Sequence, residues 1–314
     1  MRTNEVQILQ RTLKASVTFT GVGLHSGNPV RMTVHPASAE YGIWFRRTDI
    51  DLGDTMIAAR WDGVEQSRLC TLLRNEAGVG VSTVEHVMAA LAGCGVQNAL
   101  IEIDGPEVPI LDGSAAPFVE AFLMRGLRDL DAPVRMIRIL KPVEIRNGDA
   151  FARLEPSDRF EIDFQIEFAD AAIGVQAKRL NMANGTFVRE LSNSRTFCRN
   201  ADVQAMRSAG LAKGGSLSNA VVVDGAQVLT PGGLRHTDEA VRHKMLDALG
   251  DLALAGAPIM GRYVGYRSGH AMTNQLLRAL FEQPEAWEMA LCDEDTAARL
   301  PGVGVKRADI PAVA

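Results

Sequence analysis

Two stretches, Ser82-Thr83-Val84-Glu85-His86 and Val241-Arg242-His243-Lys244-Met245-Leu246-Asp247, decide the fold. Each puts a histidine near the start of an apolar helix. Ser82, Thr83 and Glu85 read as a helix cap, so the first helix is expected to start at Ser82, run to about Leu91 and stop at Gly93 or Gly95. The second is expected from about Asp238 to Leu254. A strand follows each: Asn98 to Ile103, with Ala99, Ile101 and Ile103 on one face, and then Ile259 to Tyr266. Another helix comes next. In the first half it follows the turn Asp112-Gly113-Ser114 and has Pro117 in its first turn; in the second it is the final helix, from about Ala271.

Strands also precede each histidine helix. Val17 to Pro36 reads as two strands around a glycine-rich turn, with Val30, Met32 and Val34 alternating against Arg31 and Thr33. In the other half Met136 to Ile145 is extended, and Asn147-Gly148 marks a hairpin turn. Phe160, Ile162, Phe164, Ile166 and Phe168 then alternate as one buried face. The shared order predicts a duplication. Strands in runs with helices after them predict an α+β fold of two similar domains, each a sheet layered on helices. Asp131-Ala132-Pro133 is the expected boundary, giving domains at 1–132 and 133–300. Pro301, Pro311 and the apolar end Ala312-Val313-Ala314 mark residues 301–314 as a mobile, flexible tail.

The 314-residue length suits two domains. A formal net charge of −5 weighs against a nucleic-acid partner. No apolar run is long enough to span a bilayer, and the start Met1-Arg2-Thr3-Asn4-Glu5 lacks the apolar core of a signal peptide. A cytoplasmic location without stable membrane insertion is therefore expected. The cysteines Cys70, Cys94, Cys198 and Cys292 show no CxxC spacing, so neither a disulfide framework nor a thiolate zinc site is expected.

Gly78-Val79-Gly80 lacks the third glycine of a dinucleotide fingerprint, and Lys213-Gly214-Gly215-Ser216 lacks the ending of a phosphate loop. Helical geometry puts His243 and Asp247 on one face, where they can share a metal. Carboxylates four residues from a histidine are about as frequent here as chance predicts, so the pair alone carries no metal signal. Asp251 extends the same polar face, and Met245, Leu249 and Leu252 form a separate apolar stripe. Glu85 beside His86 suits a carboxylate that takes a proton next to a metal ligand. The zincin HExxH motif is absent. Ser192 to Phe197 reads as a polar loop.

Thr20-Gly21-Val22-Gly23-Leu24-His25-Ser26-Gly27 resembles the N-terminal signature of the UDP-3-O-acyl-N-acetylglucosamine deacetylase family, the zinc enzymes at the committed step of lipid A synthesis in Gram-negative bacteria. Ser82 to His86, Pro109 to Phe118, Arg195 to Phe197, Val241 to Leu252 and Ser268 to Ala271 resemble further motifs of that family, in the same order, from about Leu9 to Leu280. The resemblance implies hydrolysis of the N-acetyl group of a UDP-sugar lipid, in a site between the two domains.

Carried over by position, the resemblance implies one zinc ion per chain on His86, His243 and Asp247, with Glu85 as general base. It implies His270 as the charged stabiliser or acid, oriented by Asp251, and Thr196 as an oxyanion donor. It leaves open whether His270 or Glu85 protonates the leaving amine. Phe197 is expected against the sugar, Lys244 against the diphosphate, and Arg267 against the nucleotide, where many relatives have lysine. An insert near 56–73 and a second near 200–223 are expected; the second would carry the acyl chain, with Leu24, Ala212 and Leu217 as lining. His25 is expected to serve structure or the outer part of the site. In some members an apolar C-terminal end is a handle for an ATP-dependent protease. Two other readings compete: a hydrolase of a different N-acyl amine, and a non-catalytic, RNA-binding protein of duplicated domains.

Overall fold

Residues 8–67 and 69–311 are described by a computed structural model. The polar N-terminal start and the apolar Ala312 to Ala314 lie outside them.

Alternation of apolar and polar residues builds the first sheet. Its strands are β1 (Val17–Val22), β2 (Pro29–Pro36), β3 (Ile43–Arg47), β4 (Met56–Ala58) and β5 (Ala99–Ile103), in the order β1-β2-β5-β3-β4. Met32 stands opposite Ile103 and Val34 opposite Ile101, so the inward faces coincide. Neighbours run antiparallel except β3 and β5. Helices α1 (Glu85–Cys94) and α2 (Ala116–Arg125) belong to this half.

The second half repeats the plan. β6 (Val143–Asn147), β7 (Ala150–Glu155), β8 (Glu161–Glu167), β9 (Val175–Asn181) and β10 (Arg262–Tyr266) lie in the order β6-β7-β10-β8-β9. Again a single pair, β8 and β10, is parallel. Between β9 and β10 come α3 (Asn200–Ser208) and α4 (Glu239–Ala253), and α5 (His270–Phe281) follows β10. Two sheets with the same order and the same strand directions are the duplication that the sequence pattern predicts. The alternating Phe160, Ile162, Phe164 and Ile166 are buried, while Phe168, past the end of β8 and expected on the same face, is half-buried.

The halves meet through α1 and α4. Gly250 permits this approach, since a Cβ there would overlap the main chain of Glu85. Most buried apolar residues of both halves form one continuous cluster, with a smaller one around Met136 and Met260. Across Val134 the strand partners change: Leu127–Pro133 pairs with Leu9–Leu13, and Arg135–Ile139 pairs with Ile259–Met260 and Trp287–Leu291.

Several expected details differ. Helix α1 starts at Glu85, because Ser82 ends the strand Gly80–Ser82 and Thr83 adopts φ +57°. The Thr83 hydroxyl donates to Glu107 (3.1 Å), and Glu85 accepts from Thr71, so neither side chain caps the helix. The expected strand Ile259 to Tyr266 divides at Gly261, where a Cβ would stand 2.6 Å from Ile139 Cγ1; its two parts join different sheets. The hairpin turns at Gly148-Asp149, with Asn147 paired to Ala150. The helix from His270 is not the final element; the strand Trp287–Leu291 and a short helix Glu294–Ala297 come after it.

The tail also departs from expectation over 301–310. Arg11 Nη2 donates to Gly302 O (2.8 Å), Gly302 packs on the Gly95 main chain, and Arg189 pairs with Asp309 (2.8 Å). Proline opposes a longer helix, and the segment has only the 3-10 turn Arg307–Asp309; a hydrogen bond from Arg11 and an ion pair tie it to the rest of the chain.

Candidate metal centre and active site

His86 is the second residue of α1, while His243 and Asp247 lie one turn apart on α4. Glycine at 250 lets the two helices approach, and the three side chains converge. One ligand atom from each lies within 4.8 Å of the others. Asp247 Oδ1 is 3.6 Å from His86 Nε2 and 3.3 Å from His243 Nε2. All three residues are buried. His243 Nδ1 lies 3.0 Å from the Ser194 carbonyl, which can only accept, so Nδ1 carries the proton and Nε2 faces the cluster with its lone pair. Burial pushes His243 down to about 4, which keeps the ring neutral and able to ligate.

Asp247 Oδ1 is buried and has no hydrogen-bond partner. An orphaned carboxylate oxygen is costly in such a place unless a cation meets it. Two imidazole nitrogens and one carboxylate oxygen are also the donor set of an open metal site. The residues therefore fit a divalent metal. Asp247 Oδ2 accepts from Lys244 Nζ at 2.9 Å. Burial opposes the Asp247 charge, but the Lys244 ammonium, the His86 contact and the charged His270 outweigh it and hold the carboxyl well below its usual range.

Beside this cluster stands a second group. His270 Nδ1–H donates to Asp251 Oδ2 (2.8 Å), and His270 Nε2 is 3.8 Å from Glu85 Oε1. Burial disfavours the imidazolium, but Asp251 and Glu85 prevail and raise His270 to about 9. Burial pushes the Glu85 carboxyl up. Thr71 touches both acids: its N–H donates to Glu85 Oε2 (3.0 Å) and its hydroxyl to Asp251 Oδ1 (2.5 Å).

A cavity of about 530 Å³ opens on these groups, lined by Leu24, Glu85, His86, Thr196, Phe197 and Lys244 among others. A neighbouring cavity of about 400 Å³ shares Leu24, Phe197 and Met206 and adds Val203, Ala212 and Leu217. Its wall is built by α3 and by the small sheet in which Phe197–Arg199 runs parallel to Val221–Asp224. The Phe197 ring packs edge-on to His243 at 6.3 Å. Arg267 is exposed and lines neither cavity.

The structure thus brings together His86, His243, Asp247, Glu85, His270 and Asp251. Thr196, Phe197, Lys244, Leu24, Ala212 and Leu217 stand around the two cavities, and Arg267 stands apart. His25 lines both cavities, with its two ring nitrogens lacking partners. His35 pairs with Glu102 at a sheet surface, and His236 meets Asn193. Cys70 and Cys94 are held as thiols by burial, at about 11 and about 12.

Sequence reasoning misses Thr71 and Glu107. Glu107 accepts from the N–H groups of His25 (2.7 Å) and Ser26 (2.8 Å) and from Thr83, so it ties the glycine-rich turn to the start of α1. Neither residue has a local spacing signal, since each acts on partners far away in the chain. Among the described residues, no helix is long and apolar enough to cross a membrane.

Comparison with known proteins accords with this geometry. The family model for UDP-3-O-acyl N-acetylglycosamine deacetylase matches residues 10–282. The UDP-3-O-acyl-N-acetylglucosamine deacetylase of Phenylobacterium zucineum (strain HLK1) is 49% identical over 290 residues, covering 92% of this chain and 99% of the relative. The protein of the same name from Idiomarina loihiensis is 48% identical over 292 residues, 92% of this chain and 95% of its own. That of Histophilus somni (strain 129Pt) is 47% identical over 283 residues, 90% and 92% of the two chains. With a family model and relatives that span nine-tenths of its length, the chain belongs to the UDP-3-O-acyl N-acetylglycosamine deacetylase family.

Proposed function

We propose that this protein is a zinc-dependent deacetylase in the cytoplasm. It hydrolyses the N-acetyl group of UDP-3-O-(3-hydroxyacyl)-N-acetylglucosamine to the free amine and acetate, the committed step of lipid A biosynthesis. The observation that carries the reading is the orphaned Asp247 Oδ1 between His86 and His243, beside the Glu85–His270 pair, at the end of a cavity that continues into an apolar one.

His86, His243 and Asp247 would hold the zinc, which supplies Lewis acidity toward water and toward the amide carbonyl when bound. Glu85 takes the proton of the attacking water as the new C–O bond forms. His270, protonated at neutral pH, donates toward the developing oxyanion, and the Thr196 hydroxyl, on the wall of the same cavity, does the same. The C–N bond then breaks with a proton delivered to the amine by His270 or Glu85. Asp251 keeps the His270 ring in place and charged.

Lys244 adds positive charge at the cavity wall, suited to the diphosphate, and Phe197 offers a ring face to the sugar. Leu24, Ala212 and Leu217 give an apolar path for the acyl chain. Arg267, on the outside, is assigned to the nucleotide end. An ATP-dependent protease that grips the apolar end would first have to peel Gly302 from Arg11 and Asp309 from Arg189.

The test is direct. Purified protein should carry one zinc per chain and release acetate from this substrate, and a chelator should abolish turnover until zinc is restored. Metal-loaded protein that leaves this substrate intact but cleaves another from a panel of N-acetylated amines would replace the reading.

A further inference from the structure

We propose that Thr71 is a positioning residue, which sets Glu85 and His270 at once from the segment before α1. The inference rests on the acid–base roles given above for Glu85 and His270. Thr71 is 2% exposed. Its main-chain N–H holds Glu85 Oε2 at 3.0 Å, and its hydroxyl holds Asp251 Oδ1 at 2.5 Å. Asp251 in turn holds His270 through its other oxygen, at 2.8 Å. The order Glu85–Thr71–Asp251–His270 is one chain of hydrogen bonds, which begins on α1 in the first domain and ends on α5 in the second.

The two bonds leave one residue through groups joined by fixed covalent geometry. Movement of the Thr71 main chain therefore moves both carboxylates together. The chain ends with His270 Nε2 3.8 Å from Glu85 Oε1, so the spacing of the two catalytic groups is set on the side away from the substrate. Thr71 lines neither cavity and is outside the proposed ligand set. Its effect should fall on the chemical step, while metal and substrate binding are unchanged.

The experiment compares zinc-loaded wild type, Thr71→Val, Thr71→Ser, Asp251→Asn and the Thr71→Val/Asp251→Asn double variant, with Glu85→Gln and His270→Ala as references. Thr71→Val keeps the side-chain shape and removes the donor. Loss of a hydrogen bond to a charged group predicts a kcat about 10- to 100-fold lower. KM and zinc content should be unchanged. Thr71→Ser should restore kcat to within about 3-fold, since it keeps the hydroxyl. The double variant should be no slower than Asp251→Asn alone, because both changes break the same link. Where the valine variant does not fold, Thr71→Ala takes its place.

A normal kcat in Thr71→Val would overturn the inference. So would a raised KM at constant kcat, failure of serine to rescue, or losses that multiply in the double variant. Should Glu85→Gln and His270→Ala themselves keep full turnover, the acid–base reading fails first and carries this inference down with it. Loss in those two with full turnover in Thr71→Val removes the Thr71 inference alone.

Discussion

Gly250 of α4 lies so close to Glu85 of α1 that a Cβ at position 250 would overlap the Glu85 carbonyl oxygen. The contact places His243 and Asp247 of one repeat against the His86 of the other. Helix propensity alone would favour Gly250→Ala by about 1 kcal/mol. Overpacking against a main chain typically costs about 1–3 kcal/mol and forces the helices apart. The variant is expected to melt at lower temperature and to lose zinc affinity, as read by calorimetry and metal titration. A melting point above that of the wild type would show that the approach of the helices is not rigid.

Asp247→Ala and His243→Ala should each lower zinc occupancy sharply, because a three-ligand site has no spare donor. Elemental analysis of the purified variants checks this. Full metal content in both would place the ion elsewhere.

Glu85→Gln and His270→Ala should keep zinc and lose turnover by about 10²–10⁴-fold. His270 is raised to about 9, so its charged form is present at neutral pH and disappears as pH rises through that value. Activity should therefore fall on the basic side. Glu85 must be ionised to act, and burial raises its pKa, so the acid limb should lie above the ordinary carboxylate range. The pH profile of kcat, with and without His270, tests both limbs.

Arg195 and Glu239 form a buried pair at 2.9 Å, in which Glu239 also accepts from the Arg195 N–H (2.9 Å) and the Arg235 N–H (2.7 Å). Burial opposes the Glu239 charge, but the bonds from Arg195 and Arg235 outweigh it and lower its pKa. A depressed carboxylate contributes stability that is present above its unfolded value, near 4.5, and is lost as pH falls through the folded one. Glu239→Gln should flatten the pH dependence of stability in that acid range. It should also cost several kcal/mol at neutral pH, about 3–5 for a broken buried pair. Denaturant midpoints at a series of pH values decide it.

The substrate without its 3-O-acyl chain should be hydrolysed far less efficiently. Burial contributes about 0.8 kcal/mol per methylene, so even a few carbons held between Leu24, Met206 and Leu217 change kcat/KM by orders of magnitude. Equal kcat/KM for the two substrates would remove the insert from substrate binding.

How much of this was legible in the chain depends on how local each signal is. Phe160 to Ile166 announces a strand because adjacent residues carry the period, and the α4 stripe announces a helix for the same reason. The shared order of the halves was visible too, since it needs only a list of elements. His86 could not be joined to His243 and Asp247 by spacing, because the partner lies on another helix; family resemblance alone linked them. Thr83 looks like a cap in one dimension, but its hydroxyl donates to Glu107, remote in sequence, and its main chain takes positive φ. Residues 301–310 look loose because their partners, Arg11, Gly95 and Arg189, are far away in the chain.

The proposed ligands are divided, with His86 from one repeat and His243 and Asp247 from the other. An ion held there is a tie across the junction. By linkage, its binding energy adds to the association of the repeats and not to the stability of either sheet alone. Two polypeptides made by cutting the chain between the repeats would therefore find each other more tightly as free zinc rises. Only the assembled pair has all three donors, so catalytic output would count reunited molecules.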